Sequence, residues 1–166
     1  MPAKADVPSN FDQAMEELGG QRDRFQRLHQ ADDHSSLVEE MRGDTDFALA
    51  VVRADCITYL RKWFTRTDGW KTLDERSGAS GRTGVAVEWT YAGVHDGAAD
   101  FNGLSPTGRP VVVRGVTMAG LEKGRMVLCR YVDWAGVFAQ LGLTLNWRVP
   151  VSSTPVATAG GPDTAG

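Results

Sequence analysis

Apolar residues recur at helical spacing in the first third of the chain and at alternating spacing through its middle. Phe11, Ala14, Met15 and Leu18 share one side of a 3.6-residue period, so a helix is expected from about Phe11, capped by Ser9 or Asn10. Gly19-Gly20 interrupts it. Phe25 and Leu28 mark a second helical run, with Arg22, Asp23, Arg24, Gln26 and Arg27 mostly outside. Residues 31–34 read as a loop. Ser35 or Ser36 then caps a short helix carrying Leu37, Val38 and Met41, with Glu39 as a capping-box partner. Segment 46–53, DFALAVVR, fits either a strand or the start of the next helix. From Ala54 the pattern is helical, with Ile57, Tyr59, Leu60, Trp63 and Phe64 on one broad apolar face.

Beyond Asp68-Gly69 the period changes to two. Residues 70–77 form a first strand and the glycine-rich 77–84 a hairpin loop. Val85, Val87, Trp89, Tyr91, Gly93 and His95 then fall on one face of a strand, which should point inward. Two more strands follow at 111–118 and 125–134, joined by a turn at 121–124. A short helix over 135–141 is closed by Gly142, and 143–149 makes a last extended piece. Helices first and an antiparallel meander second imply an α+β domain. Its N-terminal helices pack on a curved, mostly antiparallel sheet and enclose a cone-shaped pocket suited to a small apolar ligand. The expected organisation is a flexible leader at 1–9, a single domain at 10–149 and a disordered tail at 150–166.

Charge and composition narrow the partners. A net charge of -3 disfavours nucleic acid. No apolar run approaches the ~20 residues of a membrane helix. The first residues lack an apolar signal core, so a cytoplasmic location is expected. Cys56 and Cys129 lack Cys-x-x-Cys spacing and are expected as reduced thiols in the core. His29 and His34, near Asp32 and Asp33, read as solvated surface rather than a metal site.

Several linked segments carry a resemblance. Gly93-Val94-His95-Asp96-Gly97, Phe101, Gly103-Leu104-Ser105-Pro106-Thr107-Gly108, Asp133 and Gln140-Leu141-Gly142 occur in order. Together they resemble the SnoaL-like polyketide cyclase branch of the NTF2-like superfamily, over about residues 85 to 142. The resemblance implies the NTF2-like cone, a homodimer formed through the sheet and chemistry without cofactor or metal. It also implies a small apolar, polyketide-like substrate, with the aspartate of the last strand, Asp133, as acid/base and His95 nearby. Thr67-Asp68-Gly69 stands where the family has a proline-aspartate segment, and the last strand is one residue shorter than the family spacing.

The chemistry so implied is an intramolecular aldol-type ring closure. An aspartate at its ordinary pKa of ~3.9 is a weak base, and apolar burial raises it. Asp133 is flanked by Val132 and Trp134 and shares a strand face with Tyr131 and Cys129, a setting that would supply such burial. His95 would stabilise the oxyanion. Trp89, Tyr91, Trp63 and Phe101 would shape the mould, with Tyr59 at its mouth and Tyr131 and Arg130 along its wall. Simple alternation puts Arg130 opposite Asp133, so a bulge would be needed to bring both into one pocket. Asp133 also suits a helix N-cap, and His95 a turn position before Asp96-Gly97. Three other readings share the fold: an epoxide hydrolase, faintly suggested by Arg130-Tyr131-Val132-Asp133, a ketone isomerase and a non-catalytic ligand-binding module. A catalyst would hold Asp133 in a closed apolar pocket. A binding module would leave it exposed as a cap, with the cone filled by side chains.

Overall fold

The structure is a computed structural model that describes residues 10–67 and 84–143. The leader, the strand and glycine-rich loop expected over 68–83, and everything from 144 onward lie outside the described residues. The chain forms helices α1 (Asn10–Glu17), α2 (Arg22–His29), α3 (Ser35–Gly43) and α4 (Thr45–Leu60), then strands β1 (Thr65–Arg66), β2 (Val85–Val94), β3 (Pro110–Glu122) and β4 (Arg125–Val132), and finally α5 (Trp134–Gln140). The strands make one antiparallel sheet in the order β1-β2-β3-β4. Helices packed on a curled antiparallel sheet are the α+β cone expected of the NTF2-like type.

Helix α4 is the axis of the domain. Phe47, Ala48, Val51, Val52, Ala54, Cys56, Ile57 and Leu60 are all buried, so it is apolar around most of its circumference. That is the signature of a helix packed on several sides. Segment 46–53, open to a strand reading, belongs to this helix. The carboxylate of Asp44 caps its first turn by accepting from the Phe47 amide at 3.2 Å. Burying each large apolar side chain stabilises the fold by about 1.5–3 kcal/mol, so α4 holds the helical layer to the sheet.

The inward face of β2 is as the alternation predicts, with Val85, Val87, Trp89, Tyr91 and Gly93 alternating with more accessible residues. Trp89 lies opposite Gly115 of β3, where an added Cβ would come within 2.4 Å of the indole. The missing side chain on one strand makes room for the large ring on the next. The turn between β3 and β4 narrows to Lys123 and Gly124, both at positive φ (50° and 76°), joining the paired Glu122 and Arg125. This is the primed two-residue hairpin that matches strand twist.

Four local expectations change. The N-cap position of α3 is His34 rather than a serine; the carboxylate before it, Asp33 Oδ1, accepts from the Ser35 amide at 2.8 Å, and this bond lowers the Asp33 pKa. Arg24 is not an outward residue. It is partly buried over the Phe47 ring and bridges Glu40 and Asp44, the latter at 2.6 Å. His34 is buried rather than solvated, with Nδ1 accepting from the Met126 amide and Nε2 against the His29 carbonyl, fastening the α2–α3 loop to the β4 hairpin. Cys129 is exposed on the sheet, and only Cys56 is buried.

Candidate functional site

Strand β4 decides where the site lies. Its residues alternate, and Met126, Leu128, Arg130 and Val132 face the helices while Val127, Cys129 and Tyr131 face outward. Both faces are apolar in sequence, so alternation alone identifies the partners on each face but not which face is inside. The interior is Arg130's face. Asp133 continues the outer one and is exposed, and Tyr131 is 63% exposed. The apolar setting expected around Asp133 is therefore absent. Its Oδ1 accepts from the Gly136 amide at 3.0 Å as the N-cap of α5. A shallow groove of about 320 Å³, lined by Val112, Arg114, Gly136 and Gln140, lies beside it.

His95 sits on the other side of the sheet layer, fully buried against Phe64 and Phe101. The Gly103–Gly108 turn is clipped to it: Thr107 Oγ1 lies 3.0 Å from Nδ1, and the Gly108 amide donates to the His95 carbonyl. The Thr107 amide also donates to Nδ1, at 3.4 Å, so Nδ1 is an acceptor. That leaves the imidazole proton on Nε2, which has no hydrogen-bonding partner among the described residues. No hydrogen bond joins His95 to Asp133.

The large rings expected to mould a substrate divide into three groups. Trp89 and Tyr91 are fully buried core with satisfied polar atoms: Trp89 Nε1 donates to Thr117 Oγ1 at 2.9 Å, and Tyr91 Oη to the Phe64 carbonyl at 2.6 Å. Burial raises the Tyr91 hydroxyl to about 12. Cys56 Sγ joins the same chain through Thr117 Oγ1, and burial pushes its thiol to about 12, too high for a nucleophile at neutral pH. Trp63 and Phe101 pack with Trp134 in an aromatic cluster below α5. Tyr59 and Arg130 line an open cleft on the helical side, and Tyr131 lies on the opposite, outer face of the sheet.

That cleft lies between α1, α4 and β4. Its outer part, of about 610 Å³, is lined by residues that include Phe11, Asp55, Thr58, Tyr59, Arg61, Lys62 and Arg130. Its inner part, of about 160 Å³, is mostly apolar, with Met15, Leu18, Phe25, Val51, Met126 and Leu128 in its wall. Phe11, Ala14 and Asp55 belong to both walls, so the two spaces adjoin. At the junction Arg130 holds Asp55 side-on with one guanidinium edge, Nε to Oδ2 at 2.7 Å and Nη2 to Oδ1 at 3.3 Å. The pairing raises the Arg130 pKa and sets the guanidinium over the Tyr59 ring. One more titratable group, His29, lines the inner pocket, stacked on Phe25. Burial, then His34 and Arg125, lowers its pKa from 6.5, so it is a neutral imidazole at pH 7. Sequence reading gave Asp55 and Thr58 no role and took His29 as solvated surface, whereas all three line this cleft, and their meeting with β4 is entirely tertiary. Among the described residues no group of three or more His, Cys, Asp or Glu side chains is arranged to hold a metal ion, and no helix is long and apolar enough to cross a membrane.

No family model matches the chain, and no curated protein matches it. Among solved structures, a candidate polyketide cyclase from Acidithiobacillus ferrooxidans aligns at a TM-score of 0.35 and 19% identity. The alignment covers 57% of this chain and 62% of that one, less than two thirds of the neighbour's length.

Proposed function

We propose that the chain binds a small, mostly apolar carbonyl compound in the adjoining clefts and carries out cofactor-independent proton transfer on it, of the kind a cyclase uses for ring closure. The observation that supports this is the Asp55–Arg130 pair at the junction of an apolar pocket and an open vestibule, with a neutral His29 in the pocket wall. The apolar part of the ligand would occupy the inner pocket. Its carbonyl oxygen would lie at the guanidinium of Arg130, whose fixed charge favours an enolate over the neutral ketone. A neutral imidazole is a suitable proton acceptor near pH 7. Asp55 fixes the guanidinium and balances its charge, and Tyr59 supports it from below. In this reading Asp133 contributes a helix cap and His95 holds the Gly103–Gly108 turn.

The second reading is binding without turnover. It is favoured by the exposed, capping position of Asp133 and by the satisfied aromatic core where the mould was expected. A panel of five- to eight-carbon ketones, followed by tryptophan fluorescence and by deuterium exchange next to the carbonyl, separates the two. Turnover in the native chain that is lost in His29→Gln and Arg130→Met, and kept in Asp133→Asn and His95→Gln, supports the first reading. Binding that Ala14→Phe abolishes, without exchange in any variant, supports the second. Loss of exchange in Asp133→Asn alone would return the chemistry to the last strand.

A further inference from the structure

The vestibule is not electrically neutral. Its wall carries Arg61, Lys62 and Arg130 against a single carboxylate, Asp55, which Arg130 already occupies. Arg61 is drawn toward Glu17 at 4.0 Å, and Glu17 is shared with Arg66 at 3.4 Å. Lys62 differs from both. Its ammonium has no carboxylate within ion-pair distance among the described residues and rests on the faces of Trp63 and Tyr59, 3.9 and 4.8 Å from the ring centroids. Such stacking holds a cation in place while leaving its outer hydrogens free to donate. Lys62 stands just past the end of α4, where free helix carbonyls would repel an anion. In the last turn of α4 the Ile57 carbonyl is taken by the Arg61 amide and that of Leu60 by the Trp63 and Phe64 amides, and just beyond the helix the Lys62 and Trp63 carbonyls accept from the Ala99 and Gly97 amides, each at 3.0 Å. Thr58 belongs to the same wall, and its enclosed Oγ1 has no hydrogen-bonding partner among the described residues. A buried polar atom without a partner is uncommon and suggests a group that arrives with a ligand.

We infer that the ligand of this cleft is an amphiphile with an anionic head, a short-chain carboxylate, whose head lies in the vestibule at Lys62 and Thr58 and whose tail fills the inner pocket. The inference rests on the cleft being the binding site, as proposed above, and names the polarity of what enters it. The inner pocket, about 160 Å³, holds about five groups the size of a water molecule at ~30 Å³ each, which fixes the tail at about five carbons. The carboxylate accepts from the Lys62 ammonium and, once the enclosed Thr58 side chain turns toward the vestibule, from its hydroxyl, and the apolar Phe11–Ala14 edge covers the chain between head and tail. Asp55, neutralised by Arg130, does not repel it.

The full chain should be titrated with hexanoate, methyl hexanoate and hexylamine at pH 7, with tryptophan fluorescence as the readout, because Trp63 lies directly under Lys62. Hexanoate should bind at least about tenfold more tightly than its ester, the size of effect a charge-assisted hydrogen bond gives, and hexylamine should not bind. Lys62→Gln should reduce hexanoate to the level of the ester and leave the ester unchanged, with the melting temperature of the variant as a folding control. Thr58→Val should weaken hexanoate with the melting temperature kept. Equal affinity for acid and ester, or equal loss of both in Lys62→Gln, overturns the anionic head while the cleft itself stands. Failure of all three probes overturns the inference too, and the ketone panel with Ala14→Phe then decides separately whether the cleft binds anything.

Discussion

At the scale of single residues, the same side-chain types do different work depending on which face they reach. The resemblance implies Asp133 as an acid/base, and its exposed position at the start of α5 makes it a cap. Asp133→Ala should lower stability by about 1 kcal/mol, the usual cost of losing an N-cap, while Asp133→Asn, which keeps an oxygen acceptor, should lower it by much less. Chemical denaturation of both variants measures this, and ligand affinity at the α1–α4–β4 cleft should be unchanged in each. His29 gives a pH dependence with a defined sign. Its folded pKa lies below the ordinary 6.5 because burial, and then His34 and Arg125, disfavour the charged ring. Above pH 6.5 the ring is neutral in both folded and unfolded chains, so it contributes nothing to the slope. As the pH falls through 6.5 toward the lower folded value, the unfolded chain takes up a proton that the folded chain refuses, and stability drops. Denaturation midpoints between pH 8 and 5 should show this decline, and His29→Gln should flatten it.

At the scale of elements, the informative pairing is between α5 and the edge of β3. Strand β4 ends at Val132, opposite Gly115, and so leaves the β3 backbone before it without a strand partner on that side. Gln140 takes the vacant place. Its Nε2 donates to the Val112 carbonyl at 2.8 Å and its Oε1 accepts from the Val112 amide at 2.7 Å, so one side-chain amide does what a neighbouring strand would do. Helix α5 is short, and Gly142 at φ 75° ends it by turning the chain where a Cβ would be strained. Gln140→Ala should cost about 1 kcal/mol and speed hydrogen exchange of the Val112 amide. Unchanged exchange there would show that the edge is protected by something else. The linked segments Gly103–Gly108 and Gln140–Gly142 were legible in the sequence as motifs. In the structure each closes a backbone edge, one onto His95 and one onto β3.

At the scale of the whole molecule, one face of the sheet carries the helices, and the other is uncovered among the described residues. Met118 and Cys129 are cross-strand neighbours on the uncovered face, as are Val116 and Tyr131, and Met118 and Tyr131 are exposed at 41% and 63%. Apolar side chains grouped in this way suit a second sheet of the same kind, and a homodimer through this face is the assembly we propose. Met118→Asp should shift the sedimentation mass to that of the monomer, leaving circular dichroism and cleft binding unchanged. A native chain that sediments as a monomer at micromolar concentration would rule the assembly out.

The sequence by itself determined the α+β class, the inward face of β2 and the succession of helices before the strands β2, β3 and β4, because hydrophobic periods of 3.6 and 2 are local properties that a burial requirement converts directly into helices and strands. It also determined that Arg130 and Asp133 lie on opposite faces, since alternation along a strand is geometric. What it left open was which of those faces is the interior. Residues 126–132 read Met-Val-Leu-Cys-Arg-Tyr-Val, apolar on both sides, so only the packing of α1 and α4 against Met126, Leu128 and Arg130 makes one side the inside. That choice takes Asp133 out to solvent and brings Asp55, 75 positions away from Arg130 in the chain, into contact with it. The tertiary structure alone decides it, because the partners belong to separate elements and no local pattern records their meeting.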